Sequence, residues 1–350
     1  MSNKKLRFGV IGAGGIADRR TIPGMLVSQY GQLAAVMNPT MASAQRVGTK
    51  YGVTAYDSAQ ALIADKTVDA VYIASPVADH LEQALLVCEA GKPLLLEKPL
   101  ALTCKDGQRI VDAFAARKLP LAAGLMMRFG THIRQMRERV QAGEIGNIVS
   151  AYARFSCWYP PIEGAWRQSL KTGGGGALLD MGVHVIDLIS YITGSPVVQV
   201  AAMQDTQTFS YDVEDASCLV LKMQNGALCS LQSHFNIPDE SADWRLDFFG
   251  NKGCLLGDAI LGQLDGGGLR QISLQQTGGY DSAQDGQRAQ AQQIVGDYGD
   301  LYARQIDSFC LSVLEGRPVE VPAQEALRAQ AVVEAAYESG KTGQFIDIPV

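Results

Sequence analysis

The chain has 350 residues, 47% of them hydrophobic, and a formal net charge of −6 with both signs interspersed. That length suits two domains with sizeable cores, and the lack of a Lys/Arg run or an acidic tail argues against nucleic acid or a basic protein as partner. No stretch approaches the ~20 consecutive apolar residues of a membrane span. The basic start, Met1 to Arg7, runs into Gly9, Gly12, Gly14, Gly15 and then Asp18-Arg19-Arg20, too interrupted for a signal-peptide core. Seven scattered cysteines without a Cys-x-x-Cys spacing read as reduced thiols of a cytoplasmic protein.

Residues 6–11 predict a first strand, followed by Gly12-Ala13-Gly14-Gly15-Ile16-Ala17 and a helix. This is Gly-x-Gly-x-x-Ala, a small-residue form of the dinucleotide fingerprint. Gly12 permits the tight turn, Gly14 lets the backbone approach a pyrophosphate at the helix start, and Ala17 allows close helix–strand packing. Taken alone it could be an ordinary glycine turn. A second strand at 33–37 follows at the expected distance. The fingerprint calls for an acidic residue about 20 residues on, to hold the ribose 2′-hydroxyl. Asn38 stands there, with no Lys or Arg directly after it and Arg46 further on, able to fold back. The cofactor is therefore NAD or NADP, with a lean to NADP because no carboxylate repels a 2′-phosphate.

Further strands are predicted at 53–56, 68–74, 93–96 and 119–124, with helical runs between them, among them 77–89. Alternation of this kind predicts βαβ units and a doubly wound parallel sheet. Ligands of such sheets bind beyond the carboxyl ends of the strands. Gly12, Asn38, Ser75, Glu97 and Lys98 all fall on that edge. Most lysines are merely solvated, but Lys98 lies between an apolar strand and Pro99, where its ammonium could donate to a substrate oxygen.

From about residue 126 the pattern changes. A helix over 129–142 and a strand over 149–158 lead into the aromatic loop Trp158-Tyr159-Pro160-Pro161 and Trp166-Arg167. Strands follow near 197–204, 216–223, 226–236, 243–249 and 269–275, with the hairpin signal Gln224-Asn225-Gly226. They predict a large, mostly antiparallel sheet. The Gly/Gln-rich stretch 262–300 is expected to hold a mobile or partner-contacting loop after the strand near 269–275. Helices at 302–314 and 323–338 and a strand at 345–348 close the chain. Two domains result, 1–125 and 126–350.

Gly173-Gly174-Gly175-Gly176 opens an apolar helix with a polar stripe. At ~100° per residue, Asp180, His184, Asp187 and Tyr191 share one face. A buried Asp and His one turn apart are either a satisfied core pair or a site. The glycine run, which lets something approach the backbone closely, favours the site. No third ligand has local spacing, so a metal ranks last.

These residues resemble the Gfo/Idh/MocA oxidoreductase family nearly end to end. The resemblance rests on Phe8 to Ala17, Ser75-Pro76…His80, Glu97-Lys98-Pro99, Gly143-Glu144-Ile145-Gly146, the segment 173–187, Phe249-Gly250-Asn251-Lys252-Gly253 and Tyr337-Glu338-Ser339-Gly340. It implies an N-terminal Rossmann domain and a C-terminal α/β domain with an open antiparallel sheet, often used for homodimer or homotetramer contacts. It further implies that Lys98, Asp180 and His184 match catalytic residues, and that Gly12, Gly14, Gly15, Ile16, Asn38, Ser75, Pro76, His80, Glu97 and Lys98 line the dinucleotide. Trp166-Arg167 resembles a motif that approaches the nicotinamide in some members. The implied activity is NAD(P)-dependent hydride exchange with a sugar, cyclitol or related polyhydroxy substrate, with His184 as general acid/base of ordinary pKa near ~6.5. Asp180 would bond a substrate hydroxyl or orient the imidazole. Arg128, the aromatics at 158–166 (Trp158, Tyr159 and Trp166) and the segment 232–240 are further substrate candidates, the aromatics serving either to stack on a sugar or the nicotinamide or simply to pack. The alternatives are a glycosidase that retains its NAD, or a dinucleotide-binding regulator without catalysis.

Overall fold

The computed structural model describes residues 5–274 and 290–349. The first half forms a six-stranded sheet of β1 (Leu6–Ile11), β2 (Gly31–Met37), β3 (Thr54–Tyr56), β4 (Ala70–Ile73), β5 (Leu94–Glu97) and β6 (Leu121–Gly124). The spatial order is β3-β2-β1-β4-β5-β6, and every pairing is parallel. Ala70–Ile73 and Leu94–Leu96 are buried throughout. Continuous apolar runs of this kind belong to strands covered by helices on both faces. The order reverses between β1 and β4, and a crevice opens there beyond the strand ends.

The second sheet has nine strands. They are β7 (Ile148–Ser156), β8 (Val197–Asp205), β9 (Ala216–Met223), β10 (Leu228–His234), β11 (Arg245–Gly250), β12 (Gly253–Asp258), β13 (Gly268–Ser273), β14 (Gln292–Ile294) and β15 (Ile346–Asp347), in the order β14-β13-β12-β11-β7-β10-β9-β8-β15. β7 and β10 run parallel; the other pairs are antiparallel. In β9 buried and exposed residues alternate, as expected of a sheet with one face on the core. The other face carries Met203, Val220, Leu228 and Phe249 outward.

The helical segment 178–193 fills the inner side of this sheet and buries Leu178, Leu179, Met181, Val183, Val185, Ile186, Leu188, Ile189 and Ile192. On length and composition Leu170–Thr193 passes for a membrane span, which the reading of consecutive apolar residues passed over; it is 83% buried, the mark of a core helix.

Two findings differ from the sequence expectations. β12 and β14 were not foreseen, and the part of the expected loop at 275–289 lies outside the described residues. The boundary at 125/126 does not separate the cores either. Ile306, Phe309 and Cys310 of the helix Leu301–Glu315 pack with Phe8 under the first sheet, the Phe8 and Phe309 rings lying 5.9 Å apart. Helix Ala323–Thr342 starts in the first sheet's core with Ala326 and Leu327 and ends in the second's with Val333 and Ala336. Each fully buried Leu or Val contributes about 1.5–3 kcal/mol, so this helix ties the two halves together.

Candidate active site

The fingerprint turn forms at the carboxyl end of β1. A Cβ on Gly12 would lie 2.4 Å from the Ser75 backbone nitrogen, so glycine lets the β1 and β4 loops touch. Gly14 and Gly15 face open space, with no protein atom within 4 Å of a Cβ placed there. Beside them a helical turn starts at Ala17. An open glycine cradle at a helix start fits a dinucleotide pyrophosphate.

The other residues of that edge divide. Asn38 is buried, and its amide nitrogen donates to Ser43 O at 3.4 Å. Arg46 folds back, but onto Asp18 at 3.4 Å, which also binds Lys50 at 2.6 Å. The Ser75 hydroxyl donates to Gln83 at 2.6 Å, and Pro76 caps the helix Val77–Glu89. His80 is 1% exposed. Its Nδ1 lies 3.0 Å from Pro99 O and its Nε2 3.0 Å from Ser75 O. Both ring nitrogens face backbone, so His80 is a strut between two loops of the crevice and not a direct wall of it. Burial pushes its pKa down to about 4.

Glu97 ends β5 and accepts from Tyr72 Oη at 2.6 Å, and burial raises its pKa. Next to it Lys98 crosses to the second domain. Its Nζ donates to Asp180 O at 2.5 Å and to Asp180 Oδ1 at 2.8 Å. Arg167 Nε reaches the same Oδ1 at 3.3 Å, its guanidinium lying 4.1 Å over the Trp166 ring. Burial opposes ionisation of Asp180, but the Lys98 ammonium and then the Arg167 guanidinium outweigh it and hold the carboxyl well below its usual range. Asp180 therefore aims Lys98 and does not orient the imidazole as expected.

Asp180 sits in a π-helical turn, Leu178–Gly182, ahead of the α-helix Val183–Thr193. Such turns interrupt the regular ladder and cluster at functional sites. His184, 5% exposed, follows one turn on. Its Nδ1 is buried without a hydrogen-bond partner among the described residues. Burial, and then the nearby Lys98 charge, hold its pKa well below 6.5. The imidazole is thus neutral near pH 7, unlike the ordinary value expected from sequence.

The polar stripe splits. Asp187 turns away to Arg128, which binds it through Nε at 2.8 Å and through a second, shorter contact, and which also binds Glu325 at 2.6 Å. Arg128 is 2% exposed. It lines a separate cavity of about 330 Å³ with Arg137, Asp187 and Tyr191, one that includes neither Lys98 nor His184. The substrate role expected of Arg128 is corrected accordingly: its charge is taken up by the buried Asp187 and by Glu325 at the surface. No group of three or more metal-ligating side chains occurs among the described residues.

The glycine run is approached by the protein itself. A Cβ on Gly176 would lie 1.9 Å from Glu214 O, and one on Gly175 2.2 Å from Tyr337 Oη. The Glu214 carboxylate accepts from Gly176 N and Leu178 N, both at 2.9 Å, and from Tyr337 Oη at 2.9 Å. Glu214 thereby satisfies free amides at the start of the helical segment 178–193. Neither residue was foreseen as part of the site, since only the fold brings them to it. Tyr159 is one of the aromatic candidates at 158–166. Its loop is tied to the cluster through Gln168, next to Arg167, whose amide donates to Pro160 O at 2.7 Å; burial raises the Tyr159 phenol, with the Arg167 guanidinium opposing and the Asp180 carboxylate adding.

An open dinucleotide cradle on a parallel sheet, with a lysine from the end of β5 meeting a carboxylate and a neutral histidine of the neighbouring domain, defines a nicotinamide-dependent oxidoreductase. Comparison with known proteins agrees. Residues 6–125 match the model of the oxidoreductase family with an NAD-binding Rossmann fold, and residues 133–256 match the GFO/IDH/MocA C-terminal domain. The chain belongs to the Gfo/Idh/MocA oxidoreductase family. It is 28% identical to D-glucoside 3-dehydrogenase of Escherichia coli (strain K12), over 99% of both chains. It is 32% identical to dTDP-3,4-didehydro-2,6-dideoxy-alpha-D-glucose 3-reductase of Streptomyces violaceoruber, over 72% of both. Its fold superposes on aldose-aldose oxidoreductase of Caulobacter crescentus with a TM-score of 0.88, at 23% identity, covering 99% of this chain and 100% of that one. The relatives are dehydrogenases and reductases acting on sugars, and this chain is an NAD(P)-dependent oxidoreductase of that sugar-related family.

Proposed function

We propose that this enzyme moves a hydride reversibly between the nicotinamide and a CH–OH carbon of a sugar or related polyhydroxy compound, with His184 as the proton-transfer group. The observation that carries the reading is the Lys98–Asp180 contact at 2.8 Å, one turn from a buried histidine whose Nδ1 has no partner. An orphaned buried polar atom costs about 1–3 kcal/mol, a cost that functional sites retain more often than plain cores do.

Gly12, Gly14, Gly15 and Ile16 would hold the dinucleotide, Asn38 and the start of helix Met41–Tyr51 its ribose, and Glu97 and Arg167 the nicotinamide end. The bound cofactor accepts or returns the hydride; the chain supplies position, proton transfer and charge. In oxidation, neutral His184 takes the hydroxyl proton. In reduction it gives that proton back to the carbonyl oxygen. Lys98, kept charged and directed by Asp180, donates to the reacting oxygen and stabilises the negative charge that develops there. Trp166, under Arg167, closes one side.

NADP remains the favoured cofactor, because Asn38 presents no carboxylate to a 2′-phosphate; the pairing of Arg46 and Lys50 with Asp18 supplies a countercharge that tempers this preference. A cytoplasmic homodimer or homotetramer goes with the reading. Its support is seven free thiols and the apolar outer face of the second sheet, where Met203 is 82% and Leu228 57% exposed.

The test is nicotinamide absorbance with NAD and NADP, in both directions, against aldoses, inositols, glycosides and keto sugars. Lys98→Met and His184→Ala are each expected to lose 10²–10⁴-fold in turnover while still binding nucleotide. Near-parental turnover in either variant refutes the assignment.

A further inference from the structure

A row of aromatic rings runs from the surface down to the catalytic cluster. Trp158, 43% exposed, stands at the outer end. Its ring meets Phe209 edge-on at 5.0 Å, and Phe209 lies 5.5 Å from Tyr211. The Tyr211 hydroxyl donates to Tyr159 O at 3.2 Å, and Tyr159 is braced edge-on by Phe235 at 5.0 Å. The carbonyl of Pro160, next to Tyr159, accepts from Gln168 Nε2 at 2.7 Å, and Arg167, next to Gln168, reaches Asp180 Oδ1 at 3.3 Å. Cys157, directly before Trp158, is also close to that carboxylate: burial and then Asp180 and Asp239 push its thiol up to about 12.

The row is held rigidly. Asp215, fully buried, accepts the backbone N–H groups of Gln207, Thr208 and Phe209 at 2.8–2.9 Å and the Asn236 amide at 3.1 Å. Asn236 bridges back to Trp158 through the main chain, and Trp158 N donates to Asp239 at 2.9 Å. The rings are thus ordered before any ligand arrives. Preorganised aromatic faces suit the apolar faces of pyranose or phenyl rings at little entropic cost.

The charge around the rim is acidic. Asp212, Asp239 and Glu240 are exposed there and outweigh Lys171, which follows the Leu170 bonded to Asp212. Carboxylates accept sugar hydroxyls readily and repel a diphosphate.

We infer that Trp158 and Phe209 form a subsite for a second ring, so that the preferred substrate is an uncharged glycoside or disaccharide and not a free monosaccharide or a nucleotide-linked sugar. This deepens the proposed function and rests on it. The reacting ring lies at Tyr159, Lys98 and His184, and the aglycone or neighbouring sugar lies along Phe209 and Trp158. Stacking on two aromatic rings and the apolar area it buries together give an expected affinity gain of about tenfold or more.

The test is calorimetric binding to the nicotinamide-loaded protein of glucose, xylose, their phenyl β-glycosides and UDP-glucose, in the parent, in Trp158→Ala and in Phe209→Ala. Phenyl glycosides are expected to bind at least tenfold tighter than the free sugars in the parent. That advantage is expected to collapse in both variants, with free-sugar binding unchanged. The inference is overturned if the advantage persists in the variants, if the parent shows none, if UDP-glucose binds tightest, or if none of the five binds. Light scattering adds one more outcome: a lower assembly mass in Trp158→Ala marks the rim as a contact between copies and overturns it too. Failure of the oxidoreductase reading looks different, since glycosides would then bind with the same selectivity while no nicotinamide absorbance changed.

Discussion

His80 sets two effects of opposite sign against each other. Its ring nitrogens lie 3.0 Å from two carbonyl oxygens, Ser75 O and Pro99 O. Two acceptors favour two N–H donors, and so the imidazolium. Burial without a countercharge disfavours it. Burial wins and brings the pKa down to about 4, against ~6.5 in the unfolded chain. A folded-state pKa below the unfolded one means that the unfolded chain binds the extra proton. His80 therefore contributes fully above about pH 6.5, and its contribution drains away as pH falls towards 4. Integrated from pH 7 to pH 4, the loss is about 3 kcal/mol. A His80→Gln variant removes the titration but keeps one donor for one carbonyl. At pH 7 the neutral parent imidazole also offers only one N–H, so the variant should be less stable by about 1 kcal/mol at most, from the altered packing alone. The assay is urea unfolding of both proteins at pH 7, 5.5 and 4. The parent's advantage should shrink by about 3 kcal/mol across that range and so reverse at its acid end. A constant gap would show that His80 does not titrate between the two states. A gap that widens on acidification would show that the two carbonyls outweigh burial.

Three further outcomes follow from the geometry. Arg128→Ala leaves Asp187 buried without its cation, a loss of about 3–5 kcal/mol; calorimetry should record a melting point lower by roughly 10 °C, while KM for sugar at a permissive temperature stays within about twofold, and a large KM change with unaltered melting would restore Arg128 to the substrate site. Gly176→Ala places a methyl 1.9 Å from Glu214 O, so turnover should fall at least tenfold with nucleotide affinity retained, and a fully active Gly176→Ala protein would refute the tight seat of the catalytic helix. Because burial and Lys98 keep His184 neutral, kcat/KM for oxidation should hold its plateau well below pH 6.5, and an inflection at or above pH 6.5 would contradict that depressed value.

What could be read from sequence was local. The turn at Gly12 to Ala17, the apolar runs of β4 and β5 and the Glu97-Lys98 step carry their chemistry in adjacent residues, and each stands at the strand ends where it was expected. What could not be read depends on chain segments far apart. The parallel pairing of β7 with β10 has no local signature, because both strands alternate as an antiparallel strand would. β12 returns from the turn at Gly250-Asn251-Lys252-Gly253, and its short stretch Gly253–Asp258, with a glycine at each side of its apolar centre, lacks the alternation that marks a strand. The glycine run announced a close approach but not by what; Glu214 and Tyr337 lie 38 or more residues away in sequence. The stripe from Asp180 to Tyr191 was legible as a face, yet its division was not, since that depends on which cation each carboxylate meets.

That division explains why the site needs both halves of the chain. One helical segment carries two carboxylates, and each is neutralised by a cation from outside it. Asp180 takes Lys98 from the end of β5. Asp187 takes Arg128, which lies just beyond β6 and is tied in turn to Glu325 on the helix that spans both cores. Either carboxylate left alone in that apolar surround would cost several kcal/mol. The helical segment therefore settles best where the carboxyl edge of the first sheet supplies Lys98 and Arg128, with Arg167 adding to Lys98 at Asp180. The ion pair that orients the proposed catalytic lysine and the ion pair that locks the domains are thus set by one constraint on the same helical segment. Breaking the distal pair should loosen the proximal one, and in Arg128→Ala this predicts a lower kcat with little change in KM as the temperature approaches the melting transition.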